Sequence, residues 1–136
     1  MMTKQQRCDE VNKVILAISN HGRRFFYNGH HDRVASMYVA PNGHIYFIDA
    51  YTGGAIYVAY NGRWRKFTNG GTLRDLVLQF YTYISKDVPI NIGYIGLYRR
   101  AIVDGDIWGY GDAAIQAVLA EVKDSPVFFT PKEPTP

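Results

Sequence analysis

The sequence predicts an α+β fold, an antiparallel meander of four or five strands packed by three helices: N-terminal, central and C-terminal. Apolar residues recur at spacings of three and four in three separate segments. Between the first two of these, short runs rich in aromatic and β-branched residues follow one another. Asn-Gly and Gly-Gly steps punctuate the runs, and such steps suit the left-handed backbone of tight hairpin turns.

The first helix is expected over residues 3–19, where Cys8, Val11, Val14, Ile15 and Ile18 share one face and Thr3 can cap the start. Strands are expected over 23–27, 34–40, 45–50, 55–60 and 63–67, separated by Asn28-Gly29, Pro41-Asn42-Gly43, Thr52-Gly53-Gly54 and Asn61-Gly62. The second helix spans 72–87, with Thr72 and Asp75 at capping-box spacing, an apolar stripe of Leu73, Leu76, Val77, Phe80 and Ile84, and Pro89 as the stop. Residues 90–111 are rich in glycine and carry no sustained period, so they read as a loop with one strand near 94–98. A third helix over 112–124 follows from Ile115, Val118, Leu119 and Val122. The chain thus reads as a single domain over 1–127, followed by a proline-rich, disordered tail over 128–136.

Composition bounds the function. The chain has 136 residues, a length at which one domain can bury a core without covalent staples. A single cysteine, Cys8, excludes an internal disulfide framework and points to a reducing compartment. Its apolar runs fall far short of the roughly 20 residues that span a bilayer, and the polar first ten positions do not resemble a secretion signal. A cytoplasmic protein with no membrane partner is expected. The formal charge of +3 excludes an acidic mimic of DNA and suits either nucleic acid or an acidic protein as partner.

Aromatic residues are unusually frequent, with 11 Tyr, 7 Phe and 2 Trp. Loop lengths then sort the strands into two faces. If Asn61-Gly62 is a two-residue turn, Tyr60 faces Arg63, Val58 faces Arg65 and Ile56 faces Phe67. The remaining loops extend this to a face of Ala35, Met37, Val39, Ile45, Phe47, Ile56, Val58 and Phe67, which the helices should cover. The other face gathers Ser36, Tyr38, His44, Tyr46, Tyr57, Ala59, Trp64 and Lys66. Tyr38, Tyr46, Tyr57 and Trp64 beside Lys66 form a candidate contact surface for a partner protein or a second copy of the chain, because Tyr and Trp anchor interfaces. Flat rings beside cations also suit single-stranded nucleic acid. Cross-strand aromatic ladders, however, commonly do no more than stabilise a sheet.

Chemistry is sparse. His30-His31-Asp32 reads as a polar turn, since adjacent residues point apart and no second ligand pair lies at useful spacing; no metal and no cofactor are expected. Cys8 sits on the apolar stripe of its helix, where an inert buried thiol is the default. Asp49 falls near a strand end, placed to orient Arg63 or Arg65, while Asp104, Asp106 and Asp112 occupy turns or a helix start. The Gly70-Gly71-Thr72 helix start favours anions but lacks the lysine of a phosphate loop. No catalytic set emerges. The basic clusters Arg23-Arg24, Arg63-Arg65-Lys66 and Arg99-Arg100, the first two flanked by aromatics, complete the candidate binding residues.

The strings HGRRFF from His21, FIDAYTGGAIYVAY, GRWRKFTNGGTLRDLV and DIWGYGDAA resemble a family of small uncharacterised proteins encoded by bacteriophages and related mobile elements, over roughly residues 14–122. That resemblance implies a phage or mobile-element origin and brings no activity with it; from the missing catalytic set, the aromatic surface and the analogy with small phage proteins that bind host components, the leading expectation is a non-enzymatic protein that occupies a host component, such as a CRISPR or restriction defence. A single-stranded nucleic-acid-binding domain is the second expectation. A small-molecule or nucleotide binder using Gly70-Gly71-Thr72 and the WGYGD loop is the third.

Overall fold

The computed structural model describes residues 2–21, 26–67, 71–92 and 112–130. Helix α1 runs Lys4–His21, α2 Gly71–Lys86 and α3 Asp112–Val122, each within a few residues of its expected span. Thr3 and Gln6 cap α1 reciprocally: the Thr3 hydroxyl accepts the Gln6 N–H at 3.1 Å and the Gln6 amide oxygen accepts the Thr3 N–H at 2.8 Å. At the end of α2, Asp87 turns left-handed at φ 58° and its N–H closes onto the Tyr83 carbonyl at 2.9 Å.

Strands β1 (Tyr27–Asn28) and β2 (Arg33–Val34) form an antiparallel hairpin. One residue later the chain continues as β3 (Ser36–Val39), which pairs with β4 (Ile45–Ile48), which pairs in turn with β5 (Ala55–Tyr57). All these pairings are antiparallel, so the expected α+β meander is present, broken at Ala35 into a hairpin and a three-stranded sheet. The loops explain the register. Gly43, at φ 88°, lets Ala40 bond back to the His44 carbonyl at 2.8 Å across three loop residues. In the next loop the buried carboxylate of Asp49 accepts the N–H groups of Tyr51 and Thr52, each at 3.0 Å, while Gly53 takes φ 69°. Asp49 therefore serves the turn that follows β4.

The face predicted for the core is the one that the helices cover. Ala35, Met37, Ile45, Phe47, Ile56 and Val58 are buried, with Val39 and Phe67 packed partly against them. From α1 come Cys8, Val11, Val14, Ile15 and Ile18, and from α2 Leu73, Leu76, Val77, Phe80 and Ile84. Phe26 joins sheet to helix, its ring centroid 6.3 Å from Phe47 and 6.4 Å from Phe80. Arg7, also buried, donates from Nε to the Ile84 carbonyl at 2.9 Å, a cation on the last turn of α2.

Two expectations are corrected. Residues 63–67 form no strand, so Asn61-Gly62 is not a two-residue hairpin. Instead Trp64 turns inward: its Nε1 donates to the Tyr60 carbonyl at 3.0 Å, its ring meets Phe67 edge-on at 5.2 Å, and Arg74 stacks over it at 4.3 Å. Burying a large indole with its N–H satisfied outweighs a few ladder bonds at a sheet edge. The second correction concerns Phe128–Phe129, expected in the tail, which form a strand, β7, parallel to β6 (Ile90–Asn91). Phe128 is buried there, which gives this end of the chain an apolar reason to dock. The strand expected near 94–98 lies outside the described residues.

Candidate binding surface

Three tyrosines line up across the sheet because the register places them opposite one another: Tyr38 pairs with Tyr46, and Tyr46 with Tyr57. Their ring centroids are 6.4 and 5.7 Å apart, and His44 extends the row with its ring 5.0 Å from Tyr57. Alternation along each strand turns the three tyrosines to the side opposite Met37, Phe47 and Ile56, and at its His44–Tyr57 end the row borders a small cavity shared with Lys4 of α1 and with Tyr81 and Ser85 of α2. Tyr38 is 49% exposed and Tyr57 40%, while Tyr46, held between them, is half-buried. Ser36, Ala59 and Lys66 share the same solvent-facing character.

Trp64 is not part of this surface. It is 6% exposed, which corrects its expected place beside the tyrosines. Tyr60, placed opposite Arg63 on the covered face by the hairpin reading, is instead 57% exposed. Sequence reasoning missed it because both errors share one source, the assumed pairing of 55–60 with 63–67. Arg63, Arg65 and Lys66 are exposed in the irregular segment that replaces the fifth strand. Lys66 takes a left-handed φ of 65°, and its carbonyl accepts the Thr52 hydroxyl at 2.9 Å, which holds the segment alongside the loop that precedes β5. Between β5 and this segment lies a groove of about 320 Å³ bordered by Ala55, Tyr57, Tyr60, Arg63, Trp64 and Arg65.

Arg23 and Arg24 lie outside the described residues, as do Arg99, Arg100, Asp104, Asp106, Gly70 and residues 108–111 of the WGYGD loop. His30 and His31 sit in the β1–β2 loop with their rings edge-to-face at 4.8 Å. Among the described residues no group of three or more His, Cys, Asp or Glu could hold a metal ion, and no helix is long and apolar enough to cross a membrane. Cys8 is buried, donates to the Met37 carbonyl at 3.3 Å, and has its pKa pushed up to about 11, chiefly by burial and secondarily by Asp9. A thiol so held is protonated at neutral pH and a poor nucleophile.

A family model described as YoqU matches residues 2–131. No curated protein and no solved structure matches the chain.

Proposed function

The chain belongs to the YoqU family, and on that footing we propose that it is a non-enzymatic binding protein whose tyrosine-bearing sheet face occupies a partner protein. The observation that carries this reading is the row Tyr38, Tyr46 and Tyr57, its outer two rings exposed and its middle one half-buried, on the side of the sheet opposite the buried Met37, Phe47 and Ile56. Tyrosine offers a large contact area at little conformational cost together with a polar tip, a combination typical of interface anchors. Rings this close leave no room for a base sandwiched between neighbours, so nucleic acid at this face is restricted to stacking on their outer sides. A base sandwiched between two rings needs a contact of roughly 3.5 Å on each side, about 7 Å in all. The tyrosine rings, at 6.4 and 5.7 Å and tilted by 36° and 46°, already touch one another.

The resemblance to bacteriophage and mobile-element proteins supports a finer form of the proposal: the partner is a host component, and the protein acts by blocking a bacterial defence of the CRISPR or restriction kind. A second reading, binding of single-stranded nucleic acid, draws on exposed Arg63, Arg65 and Lys66 beside Tyr60. It requires steeply salt-dependent association that falls on Arg65→Ala, and a low-salt gel shift tests it. For the leading reading, tagged protein is recovered from bacterial cells and its partners are identified by mass spectrometry. A partner captured by the wild type and lost with the Tyr38→Ala/Tyr46→Ala variant is expected, with circular dichroism unchanged. Equal capture by both proteins would remove this face from the proposal.

A further inference from the structure

Among the described residues, strand β5 is the last strand of its sheet, and its pairing uses one side only. The Gly54 carbonyl accepts the Asp49 N–H at 3.1 Å and the Val58 N–H donates to the Ile45 carbonyl at 3.2 Å, so residues 54, 56 and 58 direct their backbone groups toward β4. Alternation then aims the groups of Ala55 and Tyr57 outward. The Tyr57 carbonyl is used by the Tyr60 N–H at 3.1 Å. The Ala55 N–H and C=O and the Tyr57 N–H face the groove that stands where a fifth strand was expected.

We infer that this outer edge of β5 receives an extended acidic segment of a partner protein, which adds to the sheet as a strand. The inference rests on the protein-binding reading above, but it uses the sheet's edge where that reading uses the face. A strand added to a sheet lies about 4.8 Å from its neighbour, and peptide recognition by strand addition takes affinity from main-chain bonds and specificity from flanking side chains. Here the flanks are Tyr60 and Trp64, which offer apolar contact, and Arg63 and Arg65, which are exposed and cationic. Nothing acidic borders the groove among the described residues, so carboxylates on alternate positions of an incoming segment meet only positive charge. The groove's 320 Å³ matches the small end of ligand-sized clefts, roughly 300 Å³. Natural proteins commonly blunt such an edge with charge or a bulge, and a left-handed Lys66 with two arginines leaves this one guarded against like-charged strands and open to acidic ones.

The probe is a capped, fluorescein-labelled heptapeptide of alternating glutamate and valine, titrated into the full chain at low salt. Binding with a Kd below about 1 mM is expected, weakened by roughly fivefold or more in both Ala55→Pro and Arg65→Glu. Proline at the first residue of an edge strand is conformationally tolerated and removes the outward N–H. Lys13→Ala, which removes an exposed cation on α1 that does not border the groove, should leave the peptide's affinity unchanged. Should Ala55→Pro not fold, amide resonances of the wild type decide, with Ala55 and Tyr57 expected among the largest shifts. Absence of binding, unchanged affinity in a folded Ala55→Pro variant, or displacement of the peptide by an oligothymidylate of equal charge would overturn the inference. Any of these, with partner capture still dependent on Tyr38 and Tyr46, would leave the proposed face intact.

Discussion

The side chain of Asn12 takes both outward backbone groups of Met37: its Nδ2 donates to the Met37 carbonyl at 3.0 Å and its Oδ1 accepts the Met37 N–H at 2.7 Å. A primary amide is a peptide group in miniature, so the helix side chain stands in for a neighbouring strand. On the same edge, the Ala35 N–H donates to the Phe26 carbonyl at 2.7 Å. The β3 side of the sheet is thereby closed by α1 and by Phe26, the residue before β1, while among the described residues no strand pairs with the β5 side. This asymmetry is why strand addition is assigned to β5.

Asn12→Ala should lower stability by about 1–3 kcal/mol, because the Met37 N–H loses its partner and the Met37 carbonyl is left with the weak donor of the Cys8 thiol at 3.3 Å. Asn12→Asp keeps the acceptor and loses the donor, setting a carboxylate against the Met37 carbonyl, and should also destabilise. Urea denaturation measures both. The alanine variant should aggregate faster as well, since it uncovers a strand edge, and light scattering during refolding reads that. A loss under about 0.5 kcal/mol would mean that water replaces the amide at no cost.

Trp64 and Tyr57 should lose very different amounts of stability on truncation, although both were expected on one surface. Trp64→Ala removes a buried indole along with its stacking on Arg74 and its bond to Tyr60, and should cost about 3–5 kcal/mol. Tyr57→Ala removes an exposed ring and one or two cross-strand contacts, for about 1 kcal/mol or less. Denaturant midpoints for the two variants decide. Comparable losses would place Trp64 at the surface.

The division between these two residues shows what the sequence carried. Period-two alternation and the loops at 41–43 and 51–54 placed Met37, Phe47 and Ile56 on one side and Tyr38, Tyr46 and Tyr57 on the other, because a register is fixed wherever one face is buried. Beyond β5 the local pattern still read as a strand, but Trp64 is placed by Phe67, Arg74 and the Tyr60 carbonyl, contacts that no hydrophobic period encodes. The parallel pair β6–β7 joins residues far apart in the chain, and two-residue strands leave no periodic trace. Asn12 was silent for a related reason. A side-chain amide acting on a backbone 25 positions away looks like any polar helix residue.

Cys8 should make stability depend on alkaline pH. The thiol's ordinary value is 9.0, and burial holds it at about 11 in the folded chain, so the folded state keeps its proton more tightly than the unfolded one. Below pH 9 the thiol is protonated in both states and the contribution is complete. As pH climbs from 9 to 11 the unfolded thiol ionises first, and folding stability falls. Tyr83, also raised by burial from its ordinary 10.0, adds a decline of the same sign. The slope of stability against pH in this window should be shallower for Cys8→Ala than for the wild type. Equal slopes would show that the thiol titrates normally in the folded protein. At neutral pH a disulfide reagent should label Cys8 only as fast as the chain opens.

Lys66→Gly separates the charge of the basic segment from its shape. Lys66 holds a φ of 65°, a region in which a β-carbon is strained by about 1 kcal/mol and glycine is not. Glycine also loses more backbone freedom on folding, by roughly 0.5–1 kcal/mol, so the two effects nearly cancel. Stability should therefore stay within about 1 kcal/mol of the wild type, and the Lys66 carbonyl should keep its bond from Thr52. What changes is the loss of one exposed cation beside the β5 groove. Affinity for the acidic heptapeptide should fall modestly and its salt dependence flatten, and Lys66→Ala, which keeps the strain that the wild type already carries, should show the same binding change at a stability equal to or slightly below that of the glycine variant. If the glycine variant is the less stable of the two, residue 66 does not hold a left-handed backbone in solution, and the segment beside β5 has a different course.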